Sequence, residues 1–258
     1  MSGDVLLERD GDIVTVVLSQ PERLNALSAA MWQRLGEVAK EVDADDTVRC
    51  VVVRGAGDKA FAAGADIAAF AKERADSKQA KQYAGSISGL QLLAACRHPT
   101  VALIQGACVG GGLLVACQCD IRICNESARF GVPVKNLGLI EAYDELQGML
   151  RVASRAAALE ILLEGRIWGA REAYEKGLVS RVAPDDKAVD EAYATARRIA
   201  EGAPLAARWH KKFIRRLDDP RPLTEAEMDE SYACFDTEDF REGVAAFLAK
   251  RKPKFKGR

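Results

Sequence analysis

Short apolar segments alternate with amphipathic ones along the first part of the chain. Residues 5–8 and 13–18 have the pattern of strands and flank Asp10-Gly11, which favours a tight hairpin turn. Ser28 is a suitable N-cap for a helix whose apolar face carries Met31, Leu35, Val38 and Val42. A β-branched run over residues 48–54 is typical of a buried strand.

The same alternation continues to about residue 124. A polar segment over residues 67–96 is predicted to be helical and to stop before Pro99. Residues 100–105 and 121–124 read as strands, and a helix over 113–117 lies between them. This order favours stacked ββα units around parallel strands, so the predicted fold class is α/β.

The pattern changes from about Ser154 onward. Four or five helical segments follow, and they are broken at Gly165, Gly177, Pro184, Gly202 and residues 220–222. We therefore predict an α/β core over residues 1–200 and a helical C-terminal lobe over residues 201–258.

Composition narrows the class of protein. The 258 residues carry a net charge of −1, which argues against bulk nucleic-acid binding. The N-terminus has no signal-peptide pattern, and the longest apolar run, residues 110–117, is too short to span a bilayer. We expect a cytoplasmic protein that does not bind membranes.

The seven cysteines and two histidines do not form a metal-binding motif. Five of the cysteines lie in apolar runs, Cys117-Gln118-Cys119 lacks the usual metal-binding spacing, and the histidines are distant in sequence. We predict reduced, buried thiols and no metal site. His98, which precedes Pro99, is expected to pack at a helix end, and His210 to be solvated.

Two glycine-rich turns carry the candidate chemistry, over residues 61–67 and 106–114. Each is predicted to follow a buried strand and to open a helix, so their backbone N–H groups could converge on one oxygen and stabilise an oxyanion. Phosphate binding uses the same geometry, but no nucleotide-loop motif is present. Gly131-x-Pro133 has no serine, which excludes a nucleophile elbow. Spacing alone also allows these glycines to be simple tight turns.

Several motifs, in order along nearly the whole chain, are similar to those of one family. The chain resembles the crotonase family, also called the enoyl-CoA hydratase/isomerase family. The matching segments are residues 21–28, 59–67, 106–120, 130–133, 177–180 and 237–251.

The resemblance implies a spiral of ββα units with a helical C-terminal trimerisation region, assembled as a homotrimer or homohexamer. It implies an acyl-CoA substrate, with coenzyme A as part of the substrate and no permanently bound cofactor. Two backbone N–H groups, which here would be those of Ala65 and Gly111, would hold the thioester oxygen of an enolate. The coenzyme A contacts would come from Arg23, Ala26, Ala63, Asp66, Ile67 and Ala68, and from Phe247 and Lys250 of a neighbouring subunit.

The chain departs from the family where a hydratase carries its two glutamates. The matching positions are Leu114 and Val134, and neither side chain can transfer a proton. Isomerisation or decarboxylation is therefore favoured over hydration. Candidate acid–base groups are Glu141, Tyr143 and Asp144.

Each of these candidates has an alternative interpretation. Asp144 could cap a helix that begins near Glu145, Glu141 could be a surface residue, and Tyr143 could be a packed aromatic. Two alternative functions also stay open. One is a hydratase or hydrolase that uses Glu141 and Asp144, and the other is a non-catalytic acyl-CoA-binding or RNA-binding paralogue, the latter disfavoured by the near-neutral charge.

Overall fold

The structure, a computed structural model, describes residues 3–65, 76–86 and 89–258. The described helices are α1 (Ala29–Ala44), α2 (Ser77–Ser86), α3 (Gly89–Ala95), α4 (Gly111–Cys117), α5 (Tyr143–Val152), α6 (Arg155–Glu164), α7 (Ala170–Glu175), α8 (Ala188–Ala200), α9 (Pro204–Arg216), α10 (Glu225–Glu230) and α11 (Glu238–Leu248). The described strands are β1 (Asp4–Asp10), β2 (Ile13–Ser19), β3 (Cys50–Gly55), β4 (Ala60–Ala62), β5 (Thr100–Ile104), β6 (Ala107–Val109), β7 (Ile121–Asn125), β8 (Arg129–Gly131), β9 (Trp168–Gly169) and β10 (Arg181–Ala183).

The first two strands form the predicted hairpin. Asp10 pairs with Ile13, so the two-residue loop is Gly11-Asp12, with Gly11 at φ +61°. Charged side chains of β1 face outward along the edge of the sheet, while β2 is buried. The predicted helix follows, and the Ser28 hydroxyl accepts a hydrogen bond from the Met31 N–H at 3.3 Å.

The strands form two sheets. The larger has the order β1-β2-β3-β5-β7-β10 and is parallel from β2 onward, and the smaller has the order β4-β6-β8-β9. The predicted α/β class with a parallel core is confirmed. Strands β9 and β10 lie where the sequence predicted only helices, because two or three residues are too few to show a periodicity.

The larger sheet is buried on both faces. Val51 and Val53 of β3 face the main core, whereas Cys50 and Val52 face a second core beneath α8. Helix α8 covers that face with alanines at every fourth position, namely Ala188, Ala192, Ala196 and Ala200. Side chains this small let the helix approach the sheet closely.

Helices α9 to α11 form the region after residue 200. The Lys211 ammonium on α9 lies 2.6 Å from Asp120 Oδ2 and donates to the His98 carbonyl at 2.7 Å. Lys211 is buried and the Asp120 side chain is 34% exposed, so an ion pair with one desolvated partner attaches α9 to the sheet. The division of the chain into two domains at residue 200 stays a prediction.

The basic C-terminal tail lies against α11. Asp239 accepts hydrogen bonds from the Lys256 and Gly257 N–H groups, at 2.7 and 2.9 Å, and Glu242 accepts one from the Lys254 N–H at 2.7 Å. The Phe255 carbonyl accepts one from Arg49. The backbone of the tail is therefore fixed. Within the described ranges, no helix is both long and apolar enough to cross a membrane.

Candidate active site

The two glycine turns are in direct contact. Gly64 has φ +106° and Gly110 has φ +50°, and both values favour glycine. A Cβ atom on Gly110 would lie 3.6 Å from the Gly64 Cα, and one on Gly64 would lie 3.4 Å from the Val109 carbonyl oxygen. These are ordinary contact distances, so the two turns are neighbours, and it is the positive φ that disfavours a side chain at either position.

The segment that precedes α1 holds the first turn in place. The Leu27 N–H donates to the Gly64 carbonyl at 2.7 Å, and Leu27 and Ala65 form an isolated parallel bridge. Asn25 is buried and braces this segment, since its amide donates to the Ala60 carbonyl at 2.8 Å and its Oδ1 accepts from the Gln20 N–H at 2.9 Å. We did not identify Asn25 from the sequence as a positioning residue, and its left-handed backbone (φ +56°) gives no sequence signal.

The second turn is held from two sides. The Gly110 N–H donates to the Gly131 carbonyl at 2.8 Å, and a Cβ atom on Gly112 would overlap the Ala62 carbonyl. Helix α4 then begins at Gly111, so the Gly111 N–H belongs to the first turn, where donors have no partner within the helix. The arrangement can present backbone donors to an anionic oxygen. The individual roles of Ala65 and Gly111 stay predictions.

Aliphatic side chains surround this backbone. Leu114 is 3% exposed within the main core, and Val134 packs against the same core. Neither has a polar atom, so no proton can be transferred at these two positions.

The three candidate acid–base residues have different environments. Glu141 is half-buried, whereas Tyr143 is 94% exposed, so the alternative interpretation of Tyr143 as a packed aromatic does not hold within the protomer. Asp144 is exposed and accepts a hydrogen bond from the Gln91 amide. Helix α5 begins at Tyr143, so Asp144 lies within its first turn and is not the N-cap. The N-cap is Ala142, whose N–H donates to Glu145 Oε2 at 2.5 Å.

Three of the predicted coenzyme A contacts lie close together. The Ala63 N–H donates to the Leu24 carbonyl at 3.0 Å, and the Ala26 N–H donates to the Arg23 carbonyl at 3.0 Å. Arg23 is exposed at the surface of this segment. The predicted contacts Asp66, Ile67 and Ala68 lie outside the described residues.

The other two predicted contacts lie at the end of α11. Phe247 is 83% exposed, and Lys250 follows the helix with φ +52°. Neither is brought to Arg23 by a described hydrogen bond or ion pair. Their contribution to a neighbouring subunit's site stays a prediction.

Thiols and one histidine are buried in or beside the core. All seven cysteines are free, and burial raises the pKa of Cys117 to about 11 and that of Cys124 to about 12. These thiols are poor nucleophiles. His98 is fully buried, and desolvation, followed by the Arg208 charge, lowers its pKa to about 4. No cluster of potential metal ligands occurs among the described residues.

Comparisons with known proteins agree with this geometry. A family model for enoyl-CoA hydratase/isomerase matches residues 8–258. A protein named probable enoyl-CoA hydratase from Mycobacterium tuberculosis is 38% identical over 97% of each chain, and a short-chain-enoyl-CoA hydratase from Clostridium acetobutylicum is 31% identical over 96% of each.

A solved structure extends the comparison to the fold. The crystal structure of an enoyl-CoA hydratase/carnithine racemase from Magnetospirillum magneticum is 53% identical to this chain. The alignment covers 98% of this chain and 96% of the Magnetospirillum chain, with a TM-score of 0.97. With the matched glycine turns and the parallel core, these findings show that the chain belongs to the enoyl-CoA hydratase/isomerase, or crotonase, family of enzymes.

Proposed function

We propose that this enzyme acts on an acyl-CoA thioester through an enolate whose oxygen is held by the N–H groups of Ala65 and Gly111. The observation that carries the proposal is the direct contact of the two glycine turns, with helix α4 beginning at Gly111. Preorganised backbone donors stabilise a developing oxyanion by about 3 kcal/mol each.

Isomerisation or decarboxylation fits the side chains better than hydration. Addition of water requires groups that orient the water and move its proton, and Leu114 and Val134 cannot do either. Double-bond migration needs only one group that moves a proton, and decarboxylation needs none to form the enolate.

Glu141 is the leading candidate for that single group. It is half-buried, whereas Tyr143 and Asp144 are exposed. A carboxylate that is partly screened from water is better suited to exchange a proton with carbon than one in bulk solvent.

Hydration by Glu141 and Asp144 is the second candidate function. The names of the relatives from Mycobacterium tuberculosis and Clostridium acetobutylicum favour it. Loss of enoyl absorbance from crotonyl-CoA tests it directly. If the wild type hydrates crotonyl-CoA, and Glu141→Gln and Asp144→Asn each abolish this turnover, hydration is supported over the first proposal.

The enolate itself is tested by deuterium exchange at the α-carbon of butyryl-CoA. Gly111 is the first residue of α4, a position where proline is tolerated, so Gly111→Pro removes the proposed donor with little cost to the helix. We expect exchange to fall by about 10²- to 10³-fold.

Gly111→Ala is the matched control, because it adds a side chain at the same position and keeps the N–H group. Its Cβ would lie 3.0 Å from the Trp32 ring, so a modest loss of activity is expected. Equal exchange in the proline and alanine variants would refute the role of the Gly111 N–H.

We further propose that the enzyme is cytoplasmic and assembles as a homotrimer or homohexamer through residues 201–258, the predicted lobe that also contacts coenzyme A. Free, buried thiols support the first point. Exposed Phe247 and Leu248 on α11 support the second, since a partner would cover them. Light scattering of the purified enzyme measures its mass.

A further inference from the structure

The proposed donor at Gly111 lies in the middle of three consecutive glycines. Gly110 is held by its hydrogen bond to the Gly131 carbonyl, and Gly112 by its close approach to the Ala62 carbonyl. Glycine has more conformational freedom than any other residue, so the middle position needs a contact of its own if its N–H group is to keep one direction.

A tryptophan from α1 provides this contact. A Cβ atom on Gly111 would lie 3.0 and 3.7 Å from Cζ2 and Cη2 of Trp32, so the outer edge of the indole ring lies against the Gly111 backbone. Leu27 packs beside the ring, with its Cδ1 at 3.6 Å from the same point. These two side chains occupy the side of Gly111 where any other residue would carry its own side chain.

Trp32 does not belong to the apolar stripe of α1 that the sequence predicts. It follows Met31 and therefore lies about 100° further around the helix, yet it is only 5% exposed. The motif over residues 21–28 ends before Trp32, so the family resemblance assigns it no role. Its ring is buried because it reaches the second glycine turn.

The backbone of Trp32 is also fixed. Its N–H donates to the Ser28 carbonyl at 3.0 Å, and its carbonyl oxygen would lie 2.7 Å from a Cβ atom on Gly89 of α3. The glycine lets α1 and α3 approach closely at this point. A side chain whose backbone is held between two packed helices is a rigid support for the residue it contacts.

The same segment holds the first glycine turn. The Leu27 N–H donates to the Gly64 carbonyl, and Leu27 forms an isolated bridge with Ala65. Leu27 therefore contacts the first turn through its backbone and Gly111 of the second turn through its side chain. Residues 27–32 connect the two proposed donors by a short path through packed atoms.

We propose that Trp32 is a positioning residue for the enolate chemistry, because its indole ring, packed on Gly111, keeps the Gly111 N–H directed at the thioester oxygen. This inference rests on the proposed function, since it requires that this N–H group is a donor to the enolate. It goes further by naming the side chain that preorganises the donor.

Trp32→Phe tests the inference, because phenylalanine keeps an aromatic ring in the core but does not reach as far as Cζ2. We expect kcat for α-deuterium exchange of butyryl-CoA to fall about tenfold, since a displaced donor stabilises the enolate less. KM should stay within about threefold of wild type, because the contacts proposed for coenzyme A do not involve this ring.

Gly111→Ala in the Trp32→Phe background separates positioning from a general loss of packing. The new methyl group, which in the wild type would lie only 3.0 Å from Cζ2, would occupy the space that the smaller ring leaves. We expect the double variant to exchange about threefold or more faster than Trp32→Phe alone, since the pair would be coupled.

Trp209→Phe is the control for the loss of an indole, since Trp209 is half-buried on α9 and the atoms nearest Gly111 belong to Trp32 and Leu27. It should keep the wild-type kcat. Urea denaturation of each variant shows that it is folded under the conditions of the assay.

A wild-type kcat in Trp32→Phe, or a double variant no faster than Trp32→Phe, would overturn the role of Trp32. If Gly111→Pro loses exchange while Trp32→Phe does not, only this inference fails. If the wild type does not exchange butyryl-CoA, the proposed function itself is refuted.

Discussion

The two ends of helix α4 are built from different parts of the chain. Its glycine end, Gly110–Gly112, packs mainly against backbone, since Gly110 faces Gly64 and Gly112 faces the Ala62 carbonyl, while Gly111 faces the Trp32 ring. Its glutamine end, Gln118 with a surrounding cleft of about 340 Å³, is made of side chains from four helices. A site made of backbone performs one chemistry and tolerates little change, whereas a site made of side chains can be altered without disturbing the fold.

Gly112→Ala should have the largest effect. The new Cβ would overlap the Ala62 carbonyl, and neither backbone can move without displacing β4 or α4. We expect a loss of about 3 kcal/mol or more in the free energy of unfolding, measured by urea denaturation. Gly169→Ala is the control, because a Cβ there meets nothing within 4 Å. Equal stability of the two variants would show that the glycine end is not rigid.

Lys211→Met should have the next largest effect on stability. It leaves Asp120 with its hydrogen bonds from Thr100 but without the ammonium, while the methionine fills similar space. We expect a loss of about 2 kcal/mol, because Asp120 loses its charged partner while the exposed part of its carboxylate stays solvated, which limits the cost. Denaturation of Lys211→Met, Asp120→Asn and the double variant measures the coupling. Additive losses would mean that the pair does not attach α9 to the sheet.

His98, near the same attachment, should make stability depend on pH. Its pKa of about 4 in the folded state lies below the ordinary 6.5, so the unfolded chain binds more protons between these values. The free energy of unfolding should be highest above pH 6.5 and fall by about 2 kcal/mol as the pH decreases to 4. The charged groups that act on the ring are Arg97, Arg208, Lys211 and Asp43.

Thermal melting of His98→Gln across this range isolates the contribution. The variant should lack the part of the pH dependence that the wild type shows between pH 6.5 and 4. His210→Gln is the control, since His210 is exposed. If the melting temperature of His98→Gln depends on pH in the same way as that of the wild type, other groups cause the pH dependence.

Gly148→Ala should have the smallest effect on stability and is the counterpart of Gly112→Ala. Its Cβ would meet the end of the Gln118 side chain, which can rotate away, and alanine favours the helix by about 0.5–1 kcal/mol. We expect a change in stability within about 1 kcal/mol, measured by urea denaturation. A loss as large as that of Gly112→Ala would erase the distinction between the two ends.

The sequence was a reliable guide where a signal is local. Ser28 caps α1 as predicted, the hairpin forms around Gly11, and the parallel core follows from the order of the elements. Strand β10 escaped prediction because three residues in the sheet depend on pairing with β7, which is distant in sequence.

In the candidate site, too, local features could be predicted from the sequence and features that depend on packing could not. The contact of the two glycine turns follows from motifs that can be recognised in the sequence. The start of α5 does not, because the helix begins at Tyr143, and Asp144 lies inside its first turn, where it accepts the Glu145 N–H at 3.1 Å. The contact of Trp32 with Gly111 was also missed, because only packing of α1 against the second glycine turn brings these distant positions together.

The outer strands of the larger sheet affect the tendency of the enzyme to aggregate at high concentration. At one edge β1 presents Asp4, Glu8, Arg9 and Asp10, and at the other edge β10 has only three residues. Charged or very short margins are poor templates for strand addition. Two chains that meet at these margins therefore gain little by pairing, which protects the protein from fibrillar aggregation at high concentration.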